Sequence, residues 1–116
     1  MTRIMQRLSG KVCVIVGAGS EIAAAVADRL TAEGGTVIGI DRHHHEIGDH
    51  CIIADMSEET AVEAAYAEIR DAHGKVDVIY NNAGLVDPTD LSALDTSVET
   101  MDRVFAANFT TAWLSC

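Results

Sequence analysis

Residues 12–20 are Val12-Cys13-Val14-Ile15-Val16-Gly17-Ala18-Gly19-Ser20, an uninterrupted apolar run that breaks into a turn of small residues. An Ala-rich segment follows, and a second apolar run, residues 36–40, ends at Asp41. A strand, a glycine turn, a helix and a second strand form a unit that can hold a dinucleotide. The glycines let the backbone approach a diphosphate, the helix N-terminus presents unpaired N–H groups, and the acid can accept ribose hydroxyls. We therefore expect an NAD-like ligand.

Length and composition limit what the chain can be. Its 116 residues suffice for one domain with a single core, so we expect residues 1–116 to form one dinucleotide-binding domain. With 48% hydrophobic and 22% charged residues, the composition is that of a folded soluble protein. The formal net charge of -10 disfavours nucleic acid or an anionic membrane surface as a partner. The apolar runs are also far shorter than a membrane-spanning helix requires.

The cysteines and a histidine cluster raise the question of disulfide or metal chemistry. Cys13, Cys51 and Cys116 are odd in number, and two of them lie in or beside predicted strands, so we expect reduced thiols in a cytoplasmic protein. The run His43-His44-His45 is followed by His50. Adjacent side chains in an extended segment point in opposite directions, and no second spaced pair completes a tetrahedral set. The spacing therefore does not favour a metal site.

Predicted strands and helices alternate along the chain. The first helix is capped by Ser20, the second is capped by Ser57 and closes at Gly74, and a last helix begins near Val98. Such alternation implies right-handed crossovers and an α/β fold with a parallel sheet, in the strand order 3-2-1-4. The predicted strands are residues 11–16, 36–40, 51–54 and 76–80.

Five landmarks, met in order, resemble the short-chain dehydrogenase/reductase family over nearly the whole chain. The resemblance implies a Rossmann-type three-layer α/β/α fold and a nicotinamide cofactor. It also implies that the chain is the N-terminal cofactor-binding half of a longer protein, cut within the fourth helix. The landmarks are Gly17-Ala18-Gly19-Ser20, Asp41 at the end of the second strand, Ala54-Asp55-Met56-Ser57, Asn81-Asn82-Ala83-Gly84 and Asn108.

The resemblance further implies a set of site residues without a metal. Asn108 is the catalytic candidate, because an asparagine of the family's fourth helix helps to hold a water in the proton-relay path. Asp41 favours NAD over NADP, since a carboxylate repels a 2′-phosphate, although Arg42 follows it directly. The cofactor-binding candidates are Gly17, Gly19, Ser20, Glu21, Ile22, Asp41, Arg42, Asp55, Met56, Asn82, Ala83 and Gly84.

Each of these candidates also has a purely structural interpretation. Asp41 would then be a loop acid in water, and Asp55 would begin a turn or cap the next helix. The asparagines and glycine after the fourth strand also suit a tight turn. Asn108 would be a helical residue facing solvent, but Phe105 and Phe109 indicate a partly buried stretch in which its amide needs a partner.

The sequence departs from the family's pattern in the glycine turn. Glu21 and Ala23 stand where the pattern has glycine. The change at Ala23 is mild, because that position mainly governs helix packing. Glu21 would place a carboxylate beside the expected diphosphate, where like charges repel. We therefore expect weakened cofactor binding unless Glu21 turns into solvent.

The family's reaction transfers hydride to or from an alcohol or carbonyl carbon, with a tyrosine acid/base assisted by a lysine and a serine. Neither Tyr66 nor Tyr80 has a lysine four residues on, and the family places these groups after the fourth helix. We therefore expect the 116 residues alone to be inactive, with an alcohol or ketone substrate in the complete protein. The alternative is a non-catalytic dinucleotide-binding or assembly module.

The outer edge of the predicted fourth strand would be exposed and apolar. We expect another copy of the chain, in a homo-oligomer, or a complementary C-terminal segment to cover it.

Overall fold

A four-stranded parallel sheet organises residues 5–84, 88–89 and 92–116, the residues that the computed structural model describes. The strands lie in the order third, second, first and fourth, as predicted. In the register of the sheet, Val14 lies opposite both Ile38 and Ile79. The third strand begins one residue earlier than predicted and the fourth begins two residues later. Their bounds are β1 (Val12–Val16), β2 (Thr36–Asp41), β3 (His50–Ile53) and β4 (Val78–Asn81).

Helices cover both faces of the sheet and create three layers. They are α1 (Glu21–Ala32), α2 (Glu59–His73), α3 (Val98–Phe105) and α4 (Thr111–Ser115), with the π-helical turn Ala106–Thr110 between the last two. Alternate residues of β1 face opposite layers, since Val14 packs with the α2 side and Ile15 with the α1 side. All five residues of β1 are therefore buried, as a central strand requires. No helix of the described residues is long and apolar enough to cross a membrane.

The two predicted caps have different outcomes. Ser20 caps α1, and its Oγ accepts a hydrogen bond from Ala23 N at 3.1 Å. The prediction for Ser57 is wrong, because α2 begins only at Glu59 and its N-cap residue makes no side-chain capping bond. The Ser57 hydroxyl instead donates to Asp55 Oδ1 at 2.6 Å. The Ser57 side chain therefore takes part in a local turn with Asp55 and does not cap the helix.

The end of the described chain also differs from the prediction. A π-helical turn interrupts the expected continuous helix at Asn108. Phe105 and Phe109 are 56% and 52% exposed, so the predicted partly buried stretch is wrong. Their rings contact each other, with centroids 4.8 Å apart. The side of this helical segment that carries the aromatic rings therefore faces solvent in the isolated chain.

We predict that Gly17→Ala destabilises the chain more than Gly74→Ala. A Cβ at Gly17, where φ is +90°, would lie 2.5 Å from Ala83 N, whereas a Cβ at Gly74, where φ is +80°, meets nothing within 4 Å. Both variants carry left-handed strain of about 1–2 kcal/mol. Only the Gly17 variant adds an overlap with backbone, which should cost at least about 1 kcal/mol more. Urea unfolding measures both, and equal losses would contradict the close approach of Gly17 to Ala83.

Candidate dinucleotide site

A cavity of about 680 Å³ opens at the carboxyl ends of the strands, beside the glycine turn. This edge is where open parallel sheets bind their ligands. All the predicted cofactor-binding residues line it except Glu21 and Ile22. Five segments supply most of its walls: Gly17, Gly19 and Ser20; Asp41, Arg42, His43 and His44; Ala54, Asp55, Met56 and Ser57; Asn82, Ala83 and Gly84; and Arg103, Ala106, Ala107 and Thr111.

Asn82 ties the end of β4 to the glycine turn. Its Nδ2 donates to Gly17 O at 3.1 Å and to Ser20 Oγ at 2.8 Å. Its Oδ1 accepts a hydrogen bond from the Tyr80 hydroxyl at 3.3 Å. Because Ser20 also caps α1, one hydroxyl links the helix N-terminus to β4. The turn is therefore held in place on the side of the cavity where β4 ends.

Asp41 lies between the glycine turn and the loop that follows β2. Its Oδ2 accepts from Gly19 N and its Oδ1 from His43 N, each at 2.9 Å. A Cβ on Gly19 would lie 3.0 Å from Asp41 Oδ2, so the glycine leaves room for this contact. The carboxylate therefore stands at the cavity wall with both of its oxygens oriented by backbone amides.

Asp55 provides a second carboxylate at the wall. Its Oδ1 accepts from the hydroxyl and the amide of Ser57, at 2.6 and 3.0 Å. These bonds, helped by the nearby Arg42 cation, hold the pKa of Asp55 below its ordinary value. Asp55 thus begins a local turn, as its purely structural interpretation predicts, and it also lines the cavity. Met56 beside it is buried in the core on the α2 side of the sheet.

Glu21 and Ile22 lie outside the cavity wall. Glu21 is the first residue of α1 and is exposed, and Ile22 is largely exposed as well. The structure therefore does not bring these two predicted residues to the site. Glu21 thus faces solvent, the arrangement under which the sequence predicts that cofactor binding is kept.

Asn108, the predicted catalytic residue, lies in the π-helical turn next to Gly84. Its Nδ2 donates to Val104 O at 3.0 Å, and a Cβ on Gly84 would lie 2.9 Å from its Oδ1. The hydroxyl of Thr111 donates to Ala106 O at 3.1 Å across the same turn. Asn108 is exposed, but its side chain is close to the end of the fourth-strand motif.

Sequence reasoning missed part of the cavity wall. Arg103, Ala107 and Thr111 are spaced four residues apart and line the cavity together. That spacing is visible in the sequence. Apolar side chains of the same segment, such as Met101, Phe105 and Phe109, have a similar spacing, and they drew attention to the other side of the helix. His43 and His44 also line the cavity, and the only hint of this was their position directly after Asp41.

The histidine cluster is divided among separate contacts. The ring of His45 is bonded to Ile52 O, and the ring of His50 to Glu68 and His73. Among the described residues, no three or more His, Cys, Asp or Glu side chains are grouped so that they could hold a metal ion. All three cysteines of the chain are free thiols.

Neither tyrosine lines the cavity. The Tyr80 hydroxyl donates to Asn82, as described above. The Tyr66 hydroxyl is buried on the α2 side, and this burial raises its pKa. Neither Tyr66 nor Tyr80 therefore presents its hydroxyl to this cavity.

Comparison with known proteins agrees with this geometry. The short chain dehydrogenase family model matches residues 11–116. Short-chain dehydrogenase reductase 5 of Arabidopsis thaliana is 35% identical over 114 residues, which cover 89% of this chain and 43% of that relative. A 3beta-hydroxysteroid dehydrogenase of Mediterraneibacter gnavus is 38% identical over 96 residues, 72% of this chain and 34% of that protein.

A solved structure is similar over the same region. The 3-ketoacyl-(acyl-carrier-protein) reductase of Brucella melitensis, complexed with NADH, superimposes with a TM-score of 0.83 at 34% identity. The match covers 92% of this chain and 47% of that one, so the chain spans less than half the length of these three proteins. With its 3-2-1-4 sheet, its glycine turn and a family match over residues 11–116, the chain belongs to the short-chain dehydrogenase family.

Proposed function

We propose that these residues form the NAD-binding part of an oxidoreductase that acts on an alcohol or carbonyl substrate in the complete protein. The observation that carries the proposal is the position of Asp41, whose carboxylate stands at the cavity wall beside Gly19. A carboxylate accepts about four hydrogen bonds, and two backbone amides use only part of that capacity. The remaining lone pairs suit the two hydroxyls of a ribose.

The cavity also fits the rest of a dinucleotide. Side chains are excluded at two positions of the glycine turn, since a Cβ on Gly17 would overlap Ala83 and one on Gly19 would crowd Asp41. The amides of Gly17, Ala18 and Gly19 already donate to Ile40 O and Asp41 Oδ2, so the N-terminus of α1 is the part of the turn that suits a diphosphate. We assign the adenine to the wall formed by Asp55 and Met56, and the nicotinamide side to residues 82–84.

We propose NAD rather than NADP as the cofactor. A 2′-phosphate would meet the negative charge of Asp41, whereas a free ribose hydroxyl would be accepted by it. Arg42 also lines the cavity and offsets part of this preference. The exposed position of Glu21, outside the cavity wall, supports cofactor binding over the alternative of a non-catalytic module.

The chemistry belongs to the complete protein. The bound nicotinamide supplies or accepts hydride, and a tyrosine with a lysine would transfer the proton. We propose that Asn108, next to Gly84, contributes to the proton path, and that these 116 residues bind cofactor without turnover. We place the protein in the cytoplasm, where its three free thiols would stay reduced.

We further propose that the chain self-associates or binds a complementary C-terminal segment. β4 is one of the two edge strands of the sheet, and a row of apolar side chains along α3 to α4 faces solvent. These side chains are three or four residues apart, and each is more than half exposed. Exposed apolar patches of this kind mark interaction surfaces. They are Val98, Met101, Phe105, Phe109 and Trp113.

Calorimetric titration with NADH tests the proposed cofactor. We expect saturable binding, weakened roughly tenfold to a hundredfold by Asp41→Asn, because a hydrogen bond to a charged group contributes about 1.5–3 kcal/mol. The matched control is Asp71→Asn on the solvent side of α2, which should bind like the parent chain.

Glu21→Gly completes that titration. We expect its affinity for NADH to stay close to that of the parent chain, since Glu21 does not line the cavity. If the parent chain fails to bind NADH and Glu21→Gly recovers binding, the Glu21 carboxylate closes the site, and the non-catalytic module becomes the better assignment.

Sedimentation velocity tests self-association. We expect the parent chain to form dimers or larger species, and Trp113→Glu to shift it towards monomer by placing a charge on the apolar face, where Trp113 is 65% exposed. Leu94→Glu is the matched control, because Leu94 is 96% exposed in a turn outside this face. A monodisperse parent monomer would refute self-association.

A further inference from the structure

His45 is the buried member of the histidine cluster and contacts three segments. It is 8% exposed, although it lies in the loop after β2. Its Nε2 is 3.1 Å from Ile52 O on β3, and its Nδ1 accepts a hydrogen bond from Ile47 N at 3.2 Å. Its Cε1 would lie 2.9 Å from a Cβ on Gly39 of β2, so the ring packs directly on the strand.

These contacts define the protonation state of the ring. A carbonyl oxygen only accepts, so Nε2 must carry a proton to bond Ile52 O. A backbone N–H only donates, so Nδ1 must be unprotonated to bond Ile47 N. Both bonds are satisfied together only by a neutral imidazole with its proton on Nε2.

The ring also anchors one end of a segment that lines the cavity. Arg42, His43 and His44 all belong to the cavity wall. Asp41 holds the first part of this segment by accepting from His43 N, and His45 follows the segment directly. Residues 42–44 are thus fixed at one end by the Asp41 carboxylate and at the other end by the buried His45 ring.

We propose that His45 is a positioning residue, which as the neutral Nε2–H imidazole holds residues 42–44 in place to bind the adenosine half of the dinucleotide. The inference rests on the proposed dinucleotide function. His45 itself does not line the cavity, so it would contribute to cofactor affinity only through the residues that do. Its effect should be confined to the adenosine end, because the hydrogen bonds of the ring reach Ile47 and Ile52 and do not reach residues 82–84.

Substitution of His45 tests this role in the 116-residue chain. His45→Leu removes both hydrogen bonds while keeping an apolar side chain. Because residues 42–44 then lose one of their two anchors, we expect ADP-ribose to bind roughly tenfold more weakly, a loss of about 1.4 kcal/mol in binding free energy. His45→Gln can still donate to Ile52 O from the position of Nε2, so it should recover part of that affinity. His73→Leu, a histidine substitution on α2 away from the cavity, should bind ADP-ribose like the parent chain.

Nicotinamide mononucleotide separates positioning from general loss of structure. The ratio of the affinities for ADP-ribose and nicotinamide mononucleotide should fall in His45→Leu. An unchanged ratio, whether from equal losses or from no loss, would overturn the proposal.

Long-range ¹H–¹⁵N spectra of the parent chain provide a test that does not depend on ligand binding or on the stability of a variant. We expect the Nε2–H tautomer for His45, and a ring protonated on Nδ1 would overturn the proposal. Failure of the parent chain to bind ADP-ribose or NADH would instead overturn the proposed function, while the spectra would still decide whether His45 has the anchoring form.

Discussion

The close approach of Gly17 to the backbone of Ala83 is the constraint on which the site depends. A Cβ at Gly17 would lie 2.5 Å from Ala83 N and 2.6 Å from Ala83 Cα, and the residue has φ +90°. Only glycine satisfies both conditions without strain. The approach brings the end of β1 next to the end of β4, where Asn82 can bond both Gly17 O and the Ser20 hydroxyl. The cavity is the space left beside this junction.

Asp41 extends the same junction to β2. It accepts from Gly19 N in the turn and from His43 N in its own loop, so one carboxylate orients two walls of the cavity. Two glycines make this possible. Gly17 allows the turn to pass close to the backbone of Ala83, and Gly19 leaves room for the Asp41 carboxylate. The residues that line the proposed ligand site are therefore also residues that hold the strand ends together.

Local patterns predicted the sheet and its order, because buried parallel strands and glycine turns have strong signatures in the sequence. The family resemblance predicted half of the residues that line the cavity. The predictions failed where the outcome depends on contacts that a local pattern does not encode. Ser57 had the residue type of a cap, but its side chain bonds the Asp55 carboxylate in a local turn, and the helix begins only at Glu59. The π-helical turn at Asn108 has no signature in helical spacing, and the exposure of Phe105 depends on what surrounds the helix rather than on the helix itself. The burial of His45 in a polar loop was equally invisible, since it depends on two backbone groups and the missing side chain of Gly39.

The most direct test of a dinucleotide site at this junction is a titration of the ¹⁵N-labelled chain with NADH, followed through its backbone amide signals. We predict that the signals of residues 17–20, 41–44 and 82–84 shift together along one saturable curve, because these segments meet around a single cavity. Shifts confined to the exposed face of α3 and α4, or separate curves for the three segments, would contradict a cofactor site built on the contact between Gly17 and Ala83.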